Sequence, residues 1–187
     1  MTRFTIPLAV AAVIPLLAAR PAPAGLSIAR TAVADIVGCE DDGIVGHAEL
    51  AEVESRDGVK VVVVRVRATG LPDGRHGVHI HEVGTCEPCS AAGGHFDPGP
   101  AGNPSPDGNH PFHSGDLVNL KVKDGEGKMR TVTSRVTLSP GPLSIFDADG
   151  SAIIIHAGKD TFCPNGEKAG CAGGTRAACG VIVPTEE

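Results

Sequence analysis

The chain has no tryptophan and no tyrosine, and only five phenylalanines. A core therefore has to be built from Val, Ile, Leu and Ala. With 25 glycines and 15 prolines punctuating the sequence, that composition favours many short strands joined by turns over packed helices. Cationic charge is also scarce. Sixteen Lys and Arg stand against 22 Asp and Glu, giving a net charge of −6, a balance that argues against a nucleic-acid partner. After the N-terminal segment there is no second long apolar run, so no stable membrane anchor is expected in the body of the chain.

The N-terminal segment is different. A short basic start, Met1-Thr2-Arg3, leads into almost wholly apolar residues 4–19, and Ala22-Pro23-Ala24 then offers a small-x-small cleavage site before Gly25. This is the pattern of a secretory signal peptide over residues 1–24. The run contains Pro7 and Pro15 and, at about 16 residues, is shorter than the roughly 20 that a spanning helix needs. Cys39 lies too far downstream to serve as a lipid-attachment site. Removal of Arg3 and Arg20, with no acid in the segment, takes the net charge from −6 to −8. Residues 25–187 then read as one domain, with its core over about 33–183. The protein is expected to be secreted or periplasmic, where disulfides are permitted. Six cysteines are present, Cys39, Cys86, Cys89, Cys163, Cys171 and Cys179; their number allows 15 pairings, and spacing alone does not choose among them. A redox role for the Cys86-x-x-Cys89 pair would require a βαβ setting, which is not seen here.

Strands are predicted over residues 33–37, 44–54, 59–68, 75–83, 117–122, 130–138, 152–156 and 179–183, from β-branched content and bounding turns such as Arg56-Asp57-Gly58 and Leu71-Pro72-Asp73-Gly74. No helix and no internal repeat is expected. Eight strands suit an all-β Greek-key barrel or an immunoglobulin-like sandwich. Two long Gly- and Pro-rich stretches, 84–115 and 157–178, interrupt the strands, and ordered loops of that length are usually functional.

Histidine is concentrated where those loops meet the strands. His79 and His81 flank Ile80 in a strand, so their imidazoles project from one face. His95, His110, His113 and Asp116 follow in the first loop, and His156 ends a short apolar strand. A lone histidine is usually structural. Paired histidines at strand spacing beside a His/His/Asp cluster point to a metal site, and imidazole suits copper and zinc.

Four segments together resemble the copper/zinc superoxide dismutases: Gly74-x-His76-Gly77-Val78-His79-Ile80-His81, Ala92-Gly93-Gly94-His95-Phe96-Asp97-Pro98, His113-x-Gly115-Asp116-Leu117 and Gly173-Gly174-Thr175-Arg176-Ala177-Ala178-Cys179-Gly180. Their order and spacing match over about residues 33–183. The resemblance implies an eight-stranded Greek-key barrel with two metals outside it, beneath the two long loops. It implies that His79, His81, His95 and His156 hold copper and that His95 bridges to zinc. His113 and Asp116 match zinc ligands, His76 a histidine tying the barrel to a loop, Asp160 a carboxylate that orients a ligating imidazole, and Arg176 the arginine that guides the anion. The implied reaction is dismutation of superoxide to oxygen and peroxide, with His95 carrying a proton, and the implied partner is superoxide itself; a homodimer is left open. Lys159 and Lys168 are further candidates for local attraction of the anion.

One position departs from the family. Its remaining zinc ligand falls here on Asn103, a poor ligand for zinc, while His110 is an additional histidine three residues before His113. His110 is therefore the expected fourth ligand, completing three nitrogens and a carboxylate; a dismutase holding copper alone is the alternative. A copper-binding or copper-delivery module is a further alternative, although such modules often lack the arginine or a copper histidine, and both are present here. The resemblance also implies that Cys179 holds the metal loop by a disulfide to Cys89 or Cys86, that Cys39 takes the other, and that Cys163 pairs with Cys171.

Overall fold

In the computed structural model, residues 27–40, 43–54, 57–99, 111–165 and 168–185 are described. The expected signal peptide, Asn103 and His110 lie outside these residues. The strands are β1 (Ser27–Gly38), β2 (Val45–Glu54), β3 (Lys60–Thr69), β4 (Gly74–His76), β5 (Val78–His81), β6 (Leu120–Lys123), β7 (Glu126–Thr133), β8 (Ala152–His156), β9 (Arg176–Val181) and β10 (Val183–Pro184). They form one antiparallel sheet in the order β4-β6-β7-β3-β2-β1-β9-β8-β5, with β10 on β1. The sheet curls into a nearly closed barrel whose first and last strands, β4 and β5, are consecutive in the chain.

Each of the eight expected strands has a counterpart, but bounds differ: β1 begins at Ser27 rather than 33, β6 at Leu120 rather than 117 and β7 at Glu126 rather than 130. The run expected over 75–83 is two strands, because the chain leaves β6 and joins β8 at Gly77. There Gly77 N–H donates to Gly158 O at 2.9 Å and Gly77 O accepts from His156 N–H at 2.8 Å. A side chain at Gly77 would lie 2.9 Å from Ala172 O, so only glycine permits the crossing. The closing strand is likewise split into β9 and β10, and β7 ends at Thr133 rather than 138. A short 3-10 turn, Cys89–Ala92, sits inside the first long loop, where no helix was expected.

The alternation of side chains makes the core. Ile36, Leu50, Val62, Val64, Val66, Ile80, Leu120, Leu138, Ile145, Ile153 and Ile155 fill the barrel interior, all almost completely buried. At about 25 cal/mol per Å2 of apolar surface, each fully buried Ile or Leu contributes roughly 2 kcal/mol. β8 is buried on both faces. Ile153 and Ile155 point inward, while Ala152 and Ile154 form a second, outer cluster with Cys89, Ala92 and Cys179. The inner parity of β5, Val78 and Ile80, therefore commits His79 and His81 to the outer face, under the loops.

One carboxylate lies fully buried away from the histidines. Glu52 Oε2 accepts from Leu138 N–H at 2.6 Å and Ser139 N–H at 2.9 Å, its Oε1 accepts from the Ser139 hydroxyl, and Lys60 Nζ stands 3.6 Å away. Burial alone would raise this carboxyl, but the hydrogen bonds from Ser139 and Leu138 and the Lys60 charge hold it below its ordinary value. With the folded pKa depressed, the stabilisation is complete above the ordinary carboxylate range and fades as pH falls through the folded value. Glu52→Ala would leave two amide donors unaccepted and is expected to cost about 3 kcal/mol, measured as a lowered urea midpoint at neutral pH; an unchanged midpoint would contradict this role.

Candidate metal centre

His79 and His81 stand on β5 and His156 at the end of β8, two antiparallel neighbours. The first long loop is pressed onto β5 by backbone hydrogen bonds. Ile80 N–H donates to Gly115 O at 2.9 Å, Phe96 N–H to Ile80 O at 2.9 Å, and Gly115 N–H to Phe96 O at 2.7 Å. A Cβ at Gly115 would fall 2.2 Å from Ile80 O, so this clamp requires glycine. It brings His95 opposite His81 and Asp116 opposite His79. Two groups of donor atoms result, each with all its atoms within 4.8 Å of one another: His79, His81, His95 and His156, and His95, His113 and Asp116. His95 belongs to both. Its ring centroid is 4.1 Å from that of His79 and 5.2 Å from that of His113.

Neighbours fix which nitrogen of each ring faces the centre. His81 Nδ1–H donates to Gly93 O at 2.9 Å and His156 Nδ1–H to Gly174 O at 2.8 Å. Their Nε2 atoms are buried without a hydrogen-bond partner, an arrangement that a metal ion would satisfy and that is otherwise costly. His79 uses Nε2 toward Asp160 Oδ2 at 3.0 Å, leaving Nδ1 for the cluster. His95 Nδ1 lies 2.6 Å from Asp116 Oδ1, and His113 Nδ1 3.2 Å from Asp116 Oδ2, so one carboxylate holds two imidazoles together. Burial pushes His79 down to about 4 and His156 to about 3, and places His81 well below the ordinary histidine value. The three imidazoles are thus neutral at ordinary pH, the form in which they ligate. Donor type and orientation fit copper at the four-histidine cluster and zinc at the His/His/Asp cluster.

The supporting residues form a continuous network. Asp160 N–H donates to Asn119 Oδ1 at 2.9 Å, Asn119 Nδ2 to Asp160 O at 3.0 Å, and Asp160 Oδ1 accepts from Phe162 N–H at 2.7 Å. His76 reaches His156 O through Nδ1 and Pro72 O through Nε2, each at 2.9 Å, joining the Pro72 turn to the end of β8. Arg176, half-buried at the start of β9, donates to Cys89 O and Gly93 O, so it shares an acceptor with His81. Burial lowers its guanidinium and the neighbouring Glu82 carboxylate opposes that shift.

Sequence reasoning missed three residues here. Glu82 accepts from Gly94 N–H at 2.7 Å, Asn119 pins Asp160, and Arg135 donates to Pro111 O and Asp116 O, holding the zinc-side loop. Only Glu82 carried a signal, its place directly after His81. Three disulfides close the loops: Cys39–Cys89, Cys86–Cys179 and Cys163–Cys171. Of the two partners open to Cys179, the structure pairs it with Cys86, because Cys39 lies beside β9 through its N–H to Ala177 O and takes Cys89.

An antiparallel barrel carrying two buried ligand clusters that share one imidazole is the scaffold of a bridged two-metal protein. The family profile described as copper/zinc superoxide dismutase (SODC) matches residues 44–182. The chain belongs to that family. A Cu-Zn superoxide dismutase of Mycolicibacterium paratuberculosis is 40% identical over 127 residues, covering 60% of this chain and 51% of that protein; the matched region thus spans about half of that relative. One of Deinococcus radiodurans is 39% identical over 134 residues, 64% of this chain and 69% of its own. Cu-Zn superoxide dismutase 1 of Aquifex aeolicus is 36% identical over 156 residues, 80% and 85% respectively.

Proposed function

We propose that this protein dismutates superoxide to oxygen and hydrogen peroxide outside the cytoplasm, after removal of residues 1–24. The observation that carries the reading is His95, the single ring common to both ligand clusters. His79, His81, His95 and His156 would hold copper; His95, His113 and Asp116 would hold zinc. Bound copper supplies one-electron exchange with superoxide in both directions, and zinc a positive charge without redox chemistry. The chain's own residues do the rest. His95 keeps Nδ1 toward Asp116, so its other nitrogen is the one that can hold a proton and return it to the forming peroxide. Arg176, whose charge acts on His81 and His156, draws the anion inward despite the net charge of −8 that remains without residues 1–24. Asp160 keeps the His79 ring turned toward the cluster. Three disulfides, no free cysteine among the described residues, and no described helix long and apolar enough to cross a membrane accord with a secreted or periplasmic site.

Purified protein is expected to contain copper and to consume superoxide in a pulse assay. Copper without turnover would instead make it a copper-binding module. The zinc site needs a fourth donor, and we assign it to His110 because Asn103 is a poor ligand. His110→Ala is expected to weaken zinc binding by at least about tenfold in a competitive chelator titration while copper content holds. Unchanged zinc affinity would remove His110 from the site, and weak zinc binding in both forms would favour a dismutase holding copper alone.

A further inference from the structure

The outer wall of the barrel formed by β2, β3, β7, β6 and β4 carries a row of basic side chains. Strand register places His47, Arg67, Lys128, Lys121 and Arg75 directly opposite one another across β2, β3, β7, β6 and β4. Cross-strand partners point to the same face, and all five side chains are exposed. In the next row Arg65 stands opposite Arg130, and Lys123 lies at the end of β6. Carboxylates on this face are fewer than the bases: Asp35 stands opposite His47, Glu49 faces Arg65, and Glu126 faces Lys123 and lies 3.2 Å from Lys128. Among the described residues, His47 pairs with Asp35 at 2.9 Å and Lys128 with Glu126, and no ion pair is seen at Arg67, Lys121 or Arg75.

Like charges directly opposite in an antiparallel pair destabilise the sheet. Here Arg67, Lys128, Lys121 and Arg75 repeat that conflict over three successive strand pairs in a chain that is acidic overall. Folding gains nothing from the arrangement, whereas an anionic ligand laid along the row would relieve it. At about 4.8 Å per strand, the row runs some 19 Å around the barrel. It follows a convex wall. A flexible chain can bend along that curve, whereas a flat bilayer would touch only part of it. The row itself contains no large exposed apolar side chain that would insert into lipid. None of the row's side chains stands on β5 or β8, the strands that carry His79, His81 and His156.

We infer that this face binds an anionic polysaccharide chain, anchoring the protein to a charged extracellular matrix or envelope independently of its metal chemistry. Soluble dextran sulfate is the probe, with binding followed by fluorescence anisotropy on the metal-loaded protein. The affinity is expected to fall at least about tenfold between roughly 50 and 200 mM salt. Arg67→Ser with Lys121→Ser is expected to weaken it by at least about tenfold, with superoxide consumption and metal content unchanged. Arg30→Ser, on a strand away from the row, should leave binding as it was. No binding by the native protein, an equal loss in Arg30→Ser, or tighter binding to phosphatidylglycerol vesicles or duplex DNA than to the polysaccharide would each overturn the inference.

Discussion

Arg176→Glu is expected to lower the second-order rate for superoxide about 100-fold, within the range over which a focused local field changes association. Copper content should persist, because no ligand is touched. The sign of the salt effect is the sharper readout. The native rate should fall as salt rises, since screening weakens attraction, whereas the variant's rate should rise, since screening weakens repulsion. Arg176 also donates to Cys89 O and Gly93 O, and Gly93 O anchors His81. Arg176→Lys separates these roles: it keeps the charge but loses the two-pronged hold. Its rate should recover most of the loss if steering dominates. A lysine variant as slow as the glutamate variant, with the same salt dependence as native protein, would assign the residue to holding the loop instead.

The largest stability effect is expected from the Cys86–Cys179 disulfide. It spans 93 residues and fastens the first long loop to β9, between β1 and β8. Chain entropy assigns a closure of that length about 4.5 kcal/mol, against about 2.5 kcal/mol for the eight-residue Cys163–Cys171 link. The double replacement Cys86→Ser, Cys179→Ser should therefore destabilise metal-free protein by roughly 2–5 kcal/mol, and Cys163→Ser with Cys171→Ser by clearly less, both read from urea midpoints. Because the same loop carries His95, the first variant should also bind copper more weakly. Equal midpoints for the two variants would contradict the loop-length argument.

Much of this centre was legible before any coordinates. The parity of Val78-His79-Ile80-His81 follows from the two-residue repeat of a strand, so the inward pull on Val78 and Ile80 sets where the imidazoles go. The histidine and aspartate motifs, with their order, carried the family. The strand count was readable from β-branched runs, but the break at Gly77 was not, because Arg75 to Val83 reads as one continuous strand. Only the partners on either side, β6 and β8, show that the chain changes neighbours there. Asn119 and Arg135 were invisible for a similar reason: each holds residues 19 to 41 positions away, and no local pattern marks such a bond.

The sequence by itself determined the ligand types, the strand that presents two of them, and the excess of acid over base, because these depend on composition and short-range periodicity. Tertiary structure decided the rest. It paired Cys179 with Cys86 rather than Cys89, since that depends on where Cys39 is held. It made His95 common to two clusters, since that depends on a loop clamped over Ile80 at a glycine. It also gathered scattered cations into one row on an acidic chain, because register between strands far apart in sequence, and not spacing along any one of them, sets which charges face each other.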